Sequence, residues 1–389
     1  MGDCDGCHTM HGKDGSPARP FLMASTDPSS TCLVCHSGMS PATGHVFSTN
    51  VGGPPDNYTP AGDYAWLLRS YTWTGPGGGV VVSAGERHGH SVVAYDFNLP
   101  SDTTYTTAPG GTYPSASLSC ISCHDPHGRY RVRSDGSFAS SGDPIVASGT
   151  YGNNPALPPT TQTYGAYRLL AGRGYQPRSL SGALSFPNDP PVAIAPPAYN
   201  HSEALTDVRV AYGSGMSEWC ANCHGALHTP AVTGTSPYLH PSGARAQLGR
   251  EASIYNAYVR TGDLSGTWAT GYTSMVPYEE GTTDRALLAS HASSNGSYRI
   301  GPSGTENVMC LSCHRAHASG WDHALRWNVG ADYIVASGQW PGVDSVGAGA
   351  KPEIAQGRTR ADTRAAMYDR DPSAYASFQT SLCNKCHAK

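Results

Sequence analysis

The sequence has 389 residues and a formal net charge of −4, and neither half is basic enough to suggest binding to nucleic acid. Leu, Ile, Val and Phe together number only 55 residues, too few for an ordinary hydrophobic core, while 46 glycines and 30 prolines indicate much irregular backbone. No apolar run approaches the length of a bilayer span, so the chain is not expected to cross a membrane.

All 12 cysteines fall into six Cys-x-x-Cys-His motifs, with no cysteine left over. At this spacing two thiols reach one porphyrin and the adjacent histidine faces its iron, so each motif predicts a covalently attached haem c. A disulfide framework and zinc sites are the alternatives, but zinc would require paired Cys-x-x-Cys units that close on one metal. The motifs are Cys4, Cys7 and His8; Cys32, Cys35 and His36; Cys120, Cys123 and His124; Cys220, Cys223 and His224; Cys310, Cys313 and His314; and Cys383, Cys386 and His387.

Six macrocycles would supply the apolar surface that the side chains lack. We therefore expect a multihaem cytochrome c fold, mostly coil and turns with a few short helices and very little strand, wrapped around a stacked haem chain. Such a chain should be unfolded without haem. Haem is attached to these motifs outside the cytoplasm, so we expect an exported protein whose signal peptide has been removed.

Regular elements should be sparse along the chain. Turn-forming residues dominate at Gly75–Gly79, Ser101–Pro114 and Pro187–Pro197, whereas helical patterns occur at Ala244–Arg260, Ala361–Arg370 and Ala374–Cys386. Each haem motif should begin or end a helical turn. No linker separates independent parts, so we expect one domain over residues 1–389.

A weak internal repeat runs through this domain. The first, third and fifth motifs carry a second histidine three residues after the motif histidine, and the even motifs do not; these residues are His11, His127 and His317. Ile145–Gly149 after the third motif matches Ile334–Gly338 after the fifth, and Leu22–Ser25 follows the first. The pattern predicts three haem-pair modules at about residues 1–90, 91–291 and 292–389.

The second histidine of each odd motif lies one helical turn beyond the motif on the same side of the same haem. It cannot reach the far face of that iron, so it should ligate another haem or hydrogen-bond a propionate. If each serves the haem two places earlier, His317 ligates the third haem and His127 the first. His11 would then ligate the fifth haem, at His314, of the preceding subunit, joining subunits head to tail.

The remaining three axial positions have four contenders, which are His45, His90, His240 and His291. His228 ranks below them, and we expect His88, His201 and His323 to lie at the surface or beside a site. Met10, Met39 and Met309 stand near motifs, where methionine usually serves packing. Histidine on both faces of each iron predicts low-spin haems of low potential.

The chain resembles the filament-forming hexahaem outer-surface c-type cytochromes of metal-reducing bacteria. The segments that carry the resemblance are Cys7–His11, Thr107–Pro114, Ser217–His224, Cys310–Gly320 and Leu382–Lys389. The resemblance implies six bis-histidine haems in a continuous stack and head-to-tail filaments at the cell surface, in which His11 ligates a haem of the neighbouring subunit. The segment between His36 and His45 looks shorter than in that family, and His88, His201 and His323 lack counterparts there.

These observations favour an extracellular electron conduit that is also a structural polymer. It would take electrons from other cytochromes and pass them to external acceptors such as metal oxides. A monomeric multihaem shuttle shares the same haem chemistry and differs only in assembly. A multihaem reductase would need an iron with an open face or an unusual ligand such as lysine, whereas every motif ends in histidine and further histidines are in surplus. We therefore expect no catalytic residues.

Overall fold

The computed structural model describes residues 4–10, 19–38, 44–50, 52–154, 156–180, 182, 184–197, 201–228, 240–342, 352–381 and 383–386. In these residues the backbone is mostly coil and turns, as the sequence predicts, and its longest helix has nine residues. No helix in the described part of the chain is long and apolar enough to span a bilayer.

The regular elements are short throughout. The α-helices are α1 Cys4–Cys7, α2 Pro28–His36, α3 Cys120–Cys123, α4 Met216–Cys220, α5 Glu251–Tyr258, α6 Arg285–His291, α7 Cys310–Cys313, α8 Pro352–Ala355, α9 Arg360–Ala366 and α10 Cys383–Cys386. The strands are β1 Tyr71–Thr74, β2 Val80–Ser83, β3 Arg131–Val132, β4 Phe138–Ala139, β5 Ile145–Ala147, β6 Thr163–Gly165, β7 Val192–Ile194, β8 Ala211–Ser214, β9 Tyr333–Ala336 and β10 Phe378–Thr380.

Every haem motif begins or ends one of these helical turns, which confirms the sequence prediction. Helix α2 shows why such a turn forms. Asp27 caps it by accepting a hydrogen bond from the Ser30 amide at 2.8 Å, and Pro28 occupies the first turn, where its missing N–H leaves no bond unmade. The motif cysteines then lie in the second half of the helix.

Two of the predicted helices are shorter than expected. Helix α5 covers only the second half of Ala244–Arg260, because Gly249 adopts a left-handed φ of 52° just before the helix begins. Helix α9 ends at Ala366, since Tyr368 and Asp369 adopt left-handed φ values of 60° and 50°.

The helix predicted at Ala374–Cys386 is wrong. Residues Phe378–Thr380 form β10 instead, which pairs antiparallel with β9, and only the motif itself is helical. The turn-rich stretch Pro187–Pro197 likewise contains strand β7, which pairs antiparallel with β8. In both places hydrogen bonds to a distant segment override the local pattern.

The strands form small sheets that fold local loops. Strands β1 and β2 make a hairpin whose turn includes Gly75–Gly79, and β7–β8 and β9–β10 form two further pairs. One larger sheet has the order β4-β3-β6-β5, with β5 parallel to β6 and the other pairings antiparallel.

The buried apolar side chains form several separate clusters rather than one core. One cluster gathers Trp66, Trp321, Trp327 and Trp340 with neighbours from both ends of the chain. Buried ion pairs connect distant segments as well, since Arg315 binds Glu203 at 3.1 Å and Arg370 binds Asp207 at 3.1 Å. The polypeptide is thus held together by scattered contacts, consistent with its poverty of large aliphatic residues.

Candidate haem-binding site

The six motifs form a row in the order of the chain. Cys7 of the first motif lies close enough to Cys32 of the second for their charges to interact, and Cys32 contacts Cys120 of the third. Cys123 of the third motif and Cys223 of the fourth also lie close enough for their charges to interact. A contact of Cys220 with Cys310 continues the row, and Cys313 lies close enough to Cys383 and Cys386 of the sixth motif for their charges to interact. We call this arrangement the motif row.

Five motif histidines share one hydrogen-bond pattern. The Nδ1 of each ring lies within hydrogen-bond distance of a backbone carbonyl, and a carbonyl can only accept, so Nδ1 carries the proton. The bonds are His8 to Phe21 at 2.9 Å, His36 to Gly44 at 2.7 Å, His124 to Arg168 at 2.8 Å, His224 to Pro109 at 2.8 Å and His314 to His323 at 2.7 Å. This leaves the Nε2 lone pair free to bind a metal, and the ring is oriented as metal-ligating histidines usually are. His387 lies outside the described residues.

The carbonyl that accepts from an odd motif belongs to an unusual backbone element. Phe21 and Leu22, Arg168 and Leu169, and His323 and Ala324 are pairs of consecutive residues with left-handed φ values between 52° and 60°. Each pair is followed by a residue that forms a β-bridge with the motif histidine, and these bridges are His8–Met23, His124–Leu170 and His314–Leu325. We call these elements the left-handed pairs. They repeat with the odd motifs and turn the accepting carbonyl toward the imidazole.

The left-handed pairs correct the repeat that the sequence suggested. Leu22–Ser25 is equivalent to the segments that start at Leu169 and Ala324, and not to Ile145–Gly149 and Ile334–Gly338. Those two later segments match each other, because each is a strand that ends near a left-handed glycine, Gly149 or Gly338.

Three motif histidines face a second histidine from elsewhere in the chain. The ring centres are 6.3 Å apart for His8 and His127, 6.5 Å for His124 and His317, and 6.0 Å for His224 and His90. With a metal–nitrogen bond of about 2 Å on each side, two imidazoles that share one metal have ring centres roughly 6 Å apart. The three pairs therefore have the spacing that a bis-histidine haem iron requires.

The surroundings of His317 and His90 favour the neutral form of the imidazole. Desolvation by the surrounding protein lowers the pKa of His317 to about 3, and the charges of His124 and His90 add to the effect. Desolvation also lowers the pKa of His90 to about 4, with His224 as the next cause. The neutral imidazole is the form that binds a metal.

The second histidines of adjacent sites are joined through the backbone. The His90 amide donates to the His317 carbonyl at 2.9 Å, and His90 Nδ1 donates to the Ala316 carbonyl at 2.7 Å. Gly89 allows this close approach, because a Cβ at that position would lie 2.6 Å from the Ala318 Cα. The third and fourth sites are therefore built as one unit.

The other histidines lie in different settings. His45 is 2% exposed. His240 is exposed and donates from Nδ1 to the Pro241 carbonyl at 2.8 Å, and His291 Nδ1 lies 2.6 Å from a Glu280 carboxylate oxygen. His11 lies outside the described residues.

The histidines that were expected at the surface or beside a site also differ in their exposure. His88 is not at the surface, because it is completely buried, with its two ring nitrogens bonded to Ser83 and Trp66. His323 is exposed and provides the carbonyl for His314, and His201 is half-buried. His228, which ranked below the four contenders, lies 3.6 Å from Glu218.

The methionines near the motifs behave differently from one another. Met309 is buried in a hydrophobic cluster, as expected for packing, whereas Met10 is 74% exposed. Met39 lies outside the described residues.

Two serines that the sequence interpretation did not single out connect consecutive motifs. Ser29, three residues before Cys32, accepts a hydrogen bond from the Cys120 amide at 3.1 Å, and Ser217, three residues before Cys220, accepts one from the Cys310 amide at 3.0 Å. Each bond joins an even motif to the next odd motif. The repeated hydroxyl three residues before each even motif is the sequence signal that could have identified them.

The site and the fold define the class of the protein. Coil-rich backbone around a row of Cys-x-x-Cys-His motifs, with imidazoles oriented for iron, makes this a c-type cytochrome, with haem held covalently through the motif cysteines.

Comparison with known proteins identifies the family within that class. The chain is 44% identical over 407 residues to the C-type cytochrome OmcS of Geobacter sulfurreducens, covering 100% of this chain and 93% of that protein. It therefore belongs to the OmcS family. A cryo-EM structure of OmcS nanowires and a structure of the outer membrane cytochrome S filament, both from that organism, match with a TM-score of 0.89, 44% identity and coverage of 100% of this chain and 98% of theirs. No protein-family model matches the chain.

Proposed function

We propose that this protein conducts electrons along six covalently bound haems c and polymerises head to tail into a filament at the outer cell surface. The observation that carries the proposal is the motif row, which keeps each motif next to its predecessor from the first to the sixth. Haem attached at every motif would form one electronic chain rather than two clusters. The role is electron transfer and not catalysis.

The axial ligands follow from the three histidine pairs. His127 ligates the haem attached beside His8, His317 the haem beside His124, and His90 the haem beside His224. His45, His240 and His291 remain for the haems at His36 and His387. Bis-histidine ligation leaves no open coordination position and gives low potentials, as a conduit requires and a reductase does not.

The filament follows from the same spacing rule. His127 and His317 each face the motif histidine two places earlier in the row, which leaves the fifth haem, beside His314, for His11 of another subunit. A heterologous contact of this kind propagates as a helical filament unless it closes into a ring. The match to OmcS nanowires and filaments supports this assembly.

The filament places the protein between cellular and external redox partners. Other electron-transfer cytochromes would donate electrons to it, and extracellular acceptors such as metal oxides would receive them. Three haem-pair modules, at about residues 1–90, 91–291 and 292–389, would be the repeating unit of conduction.

The His11→Ala variant tests conduit and polymer together. We expect haem attachment to be intact, six haems per chain by mass and haem quantification, but short or no filaments in electron micrographs. One haem in six should become high-spin in electron paramagnetic resonance spectra. Filaments of normal length with all irons six-coordinate would exclude the role of His11. Carbon monoxide binding by the reduced wild-type protein without denaturation would instead favour a reductase.

A further inference from the structure

The contact between an even motif and the next odd motif is built twice in the same way. In each case a hydroxyl three residues before the even motif accepts from the amide of the first cysteine of the odd motif. Both serines, Ser29 and Ser217, are completely buried. The first cysteines of the two motifs also contact each other, as Cys32 with Cys120 and Cys220 with Cys310. Two independent copies of one geometry indicate a fixed way of joining motifs.

The sixth motif is preceded by a hydroxyl at the same position, and no seventh motif in this sequence could donate a hydrogen bond to it. Thr380 lies three residues before Cys383, at the end of β10 and 8% exposed. Its Oγ1 accepts a hydrogen bond from the Asn384 side chain at 3.2 Å, and a hydroxyl oxygen has two lone pairs. The residue type and position thus match Ser29 and Ser217.

The exposure of the motif cysteines indicates which motif could donate to the Thr380 hydroxyl. The first cysteines of the two terminal motifs, Cys4 and Cys383, are exposed. The first cysteines of the four intervening motifs are half-buried; they are Cys32, Cys120, Cys220 and Cys310. The first motif is the odd motif that no even motif of the same chain precedes. The two ends of the motif row therefore carry the two halves of the internal joint.

We propose that Thr380 accepts a hydrogen bond from the Cys4 amide of the partner subunit, so that the subunit junction repeats the Ser29 and Ser217 joint a third time. This contact rests on the proposed filament and specifies its register. It sets the sixth motif of one subunit against the first motif of the next at the spacing used within the chain. Thr380 is a positioning residue and does not touch the iron.

The test compares the critical concentration for polymerisation of holoprotein variants. Thr380→Val keeps the side-chain shape but removes the acceptor of the neighbouring Cys4 amide, so we expect the critical concentration to rise roughly tenfold. Thr380→Ser should assemble like the wild type. Asn384→Ala removes the bond within the chain but leaves the acceptor, and should also assemble normally. Thr363→Val, at a buried threonine of α9, is the matched control.

The outcomes separate this contact from the filament itself. If the wild type assembles and Thr380→Val has the same critical concentration, the contact is wrong and the filament stands. If the wild-type holoprotein does not assemble, the proposed filament and the contact fail together. A map of wild-type filaments in which Thr380 Oγ1 lies beyond hydrogen-bond distance of the neighbouring Cys4 amide would overturn the contact directly.

Discussion

At the scale of single residues, the site depends on which nitrogen of each imidazole is protonated. The carbonyls of Phe21, Arg168 and His323 hold the Nδ1 proton of the odd motif histidines and leave Nε2 for iron. These carbonyls belong to the left-handed pairs, which contain no glycine, so each residue with a left-handed φ costs roughly 1 kcal/mol. Strain of this kind persists because the surrounding bonds fix it.

Which histidines meet could be predicted only in part. The one-turn argument applies to His127 and His317, and the structure brings them to His8 and His124, although ligation itself stays a prediction. The meeting of His90 with His224 was not predictable, because it depends on how two distant coil segments pack. No local pattern encodes that contact.

Replacing His127 should alter a haem to which it is not covalently adjacent. In His127→Ala we expect the haem at Cys4 and Cys7 to become high-spin, while the haem beside His124 stays low-spin. Electron paramagnetic resonance would count one high-spin haem in six, and paramagnetic NMR would assign it. His323→Ala is the control, because its exposed side chain is lost while its carbonyl remains. A perturbation confined to the haem beside His124 would refute the assignment.

Gly89 should be intolerant of a side chain. A Cβ there would collide with the backbone of Ala318, and overpacking of this kind costs about 1–3 kcal/mol. Because Gly89 precedes His90 and packs on the segment of His317, Gly89→Ala should disturb the haems beside His124 and His224 together. Spectral changes and thermal unfolding would be compared with Gly77→Ala, where nothing lies within 4 Å. Equal stability of the two variants would contradict the argument.

At the scale of elements, short helices hold the motifs, whereas several strands depend on pairing between segments that are distant in the sequence. Sequence analysis did not predict the left-handed pairs, because Phe-Leu, Arg-Leu and His-Ala share no common pattern and contain no glycine. The helix expected at Ala374–Cys386 failed for a related reason, since pairing of β10 with β9 outweighs a modest helical pattern. The helical turns predicted at the motifs are present, and in α2 a local contact, the Asp27 cap, stabilises the turn.

Helix α2 provides a test of this local control. Asp27 accepts hydrogen bonds from the Ser30 amide at 2.8 Å and the Tyr95 amide at 2.9 Å, so it both caps the helix and holds a distant segment. Asp27→Ala should lower the free energy of unfolding by about 2 kcal/mol and the Tm by a few degrees. Calorimetry of the holoprotein would measure both.

A matched variant distinguishes the cap from a general effect of lost charge. Asp135→Ala removes a carboxylate from an exposed turn, where it accepts hydrogen bonds from nearby Ser137. Its Tm should fall by less than that of Asp27→Ala. Equal losses would show that the Asp27 cap contributes nothing specific.

At the scale of the whole molecule, stability must come from something other than a continuous hydrophobic core. The buried apolar side chains are divided among separate clusters, and buried arginines bond to Glu203 and Asp207. Covalent haem would add apolar surface along the whole motif row.

The chain made without haem should therefore not fold. Expressed in a cytoplasm that lacks the attachment machinery, it should show no cooperative thermal transition and should be digested rapidly by protease. Circular dichroism and limited proteolysis would be compared with the exported holoprotein. A cooperative transition in the haem-free chain would show that the protein part suffices.

The distance along the chain between paired histidines also affects the order in which the protein matures. His8 meets a histidine that follows the third motif, and His124 meets one that follows the fifth. During export the first motif emerges long before the segment that completes its surroundings. Each of these early sites stays incomplete until a later segment of the polypeptide supplies the second histidine. The sites are thus completed by distant segments and not one after another along the chain. A truncated chain would therefore leave its upstream sites incomplete.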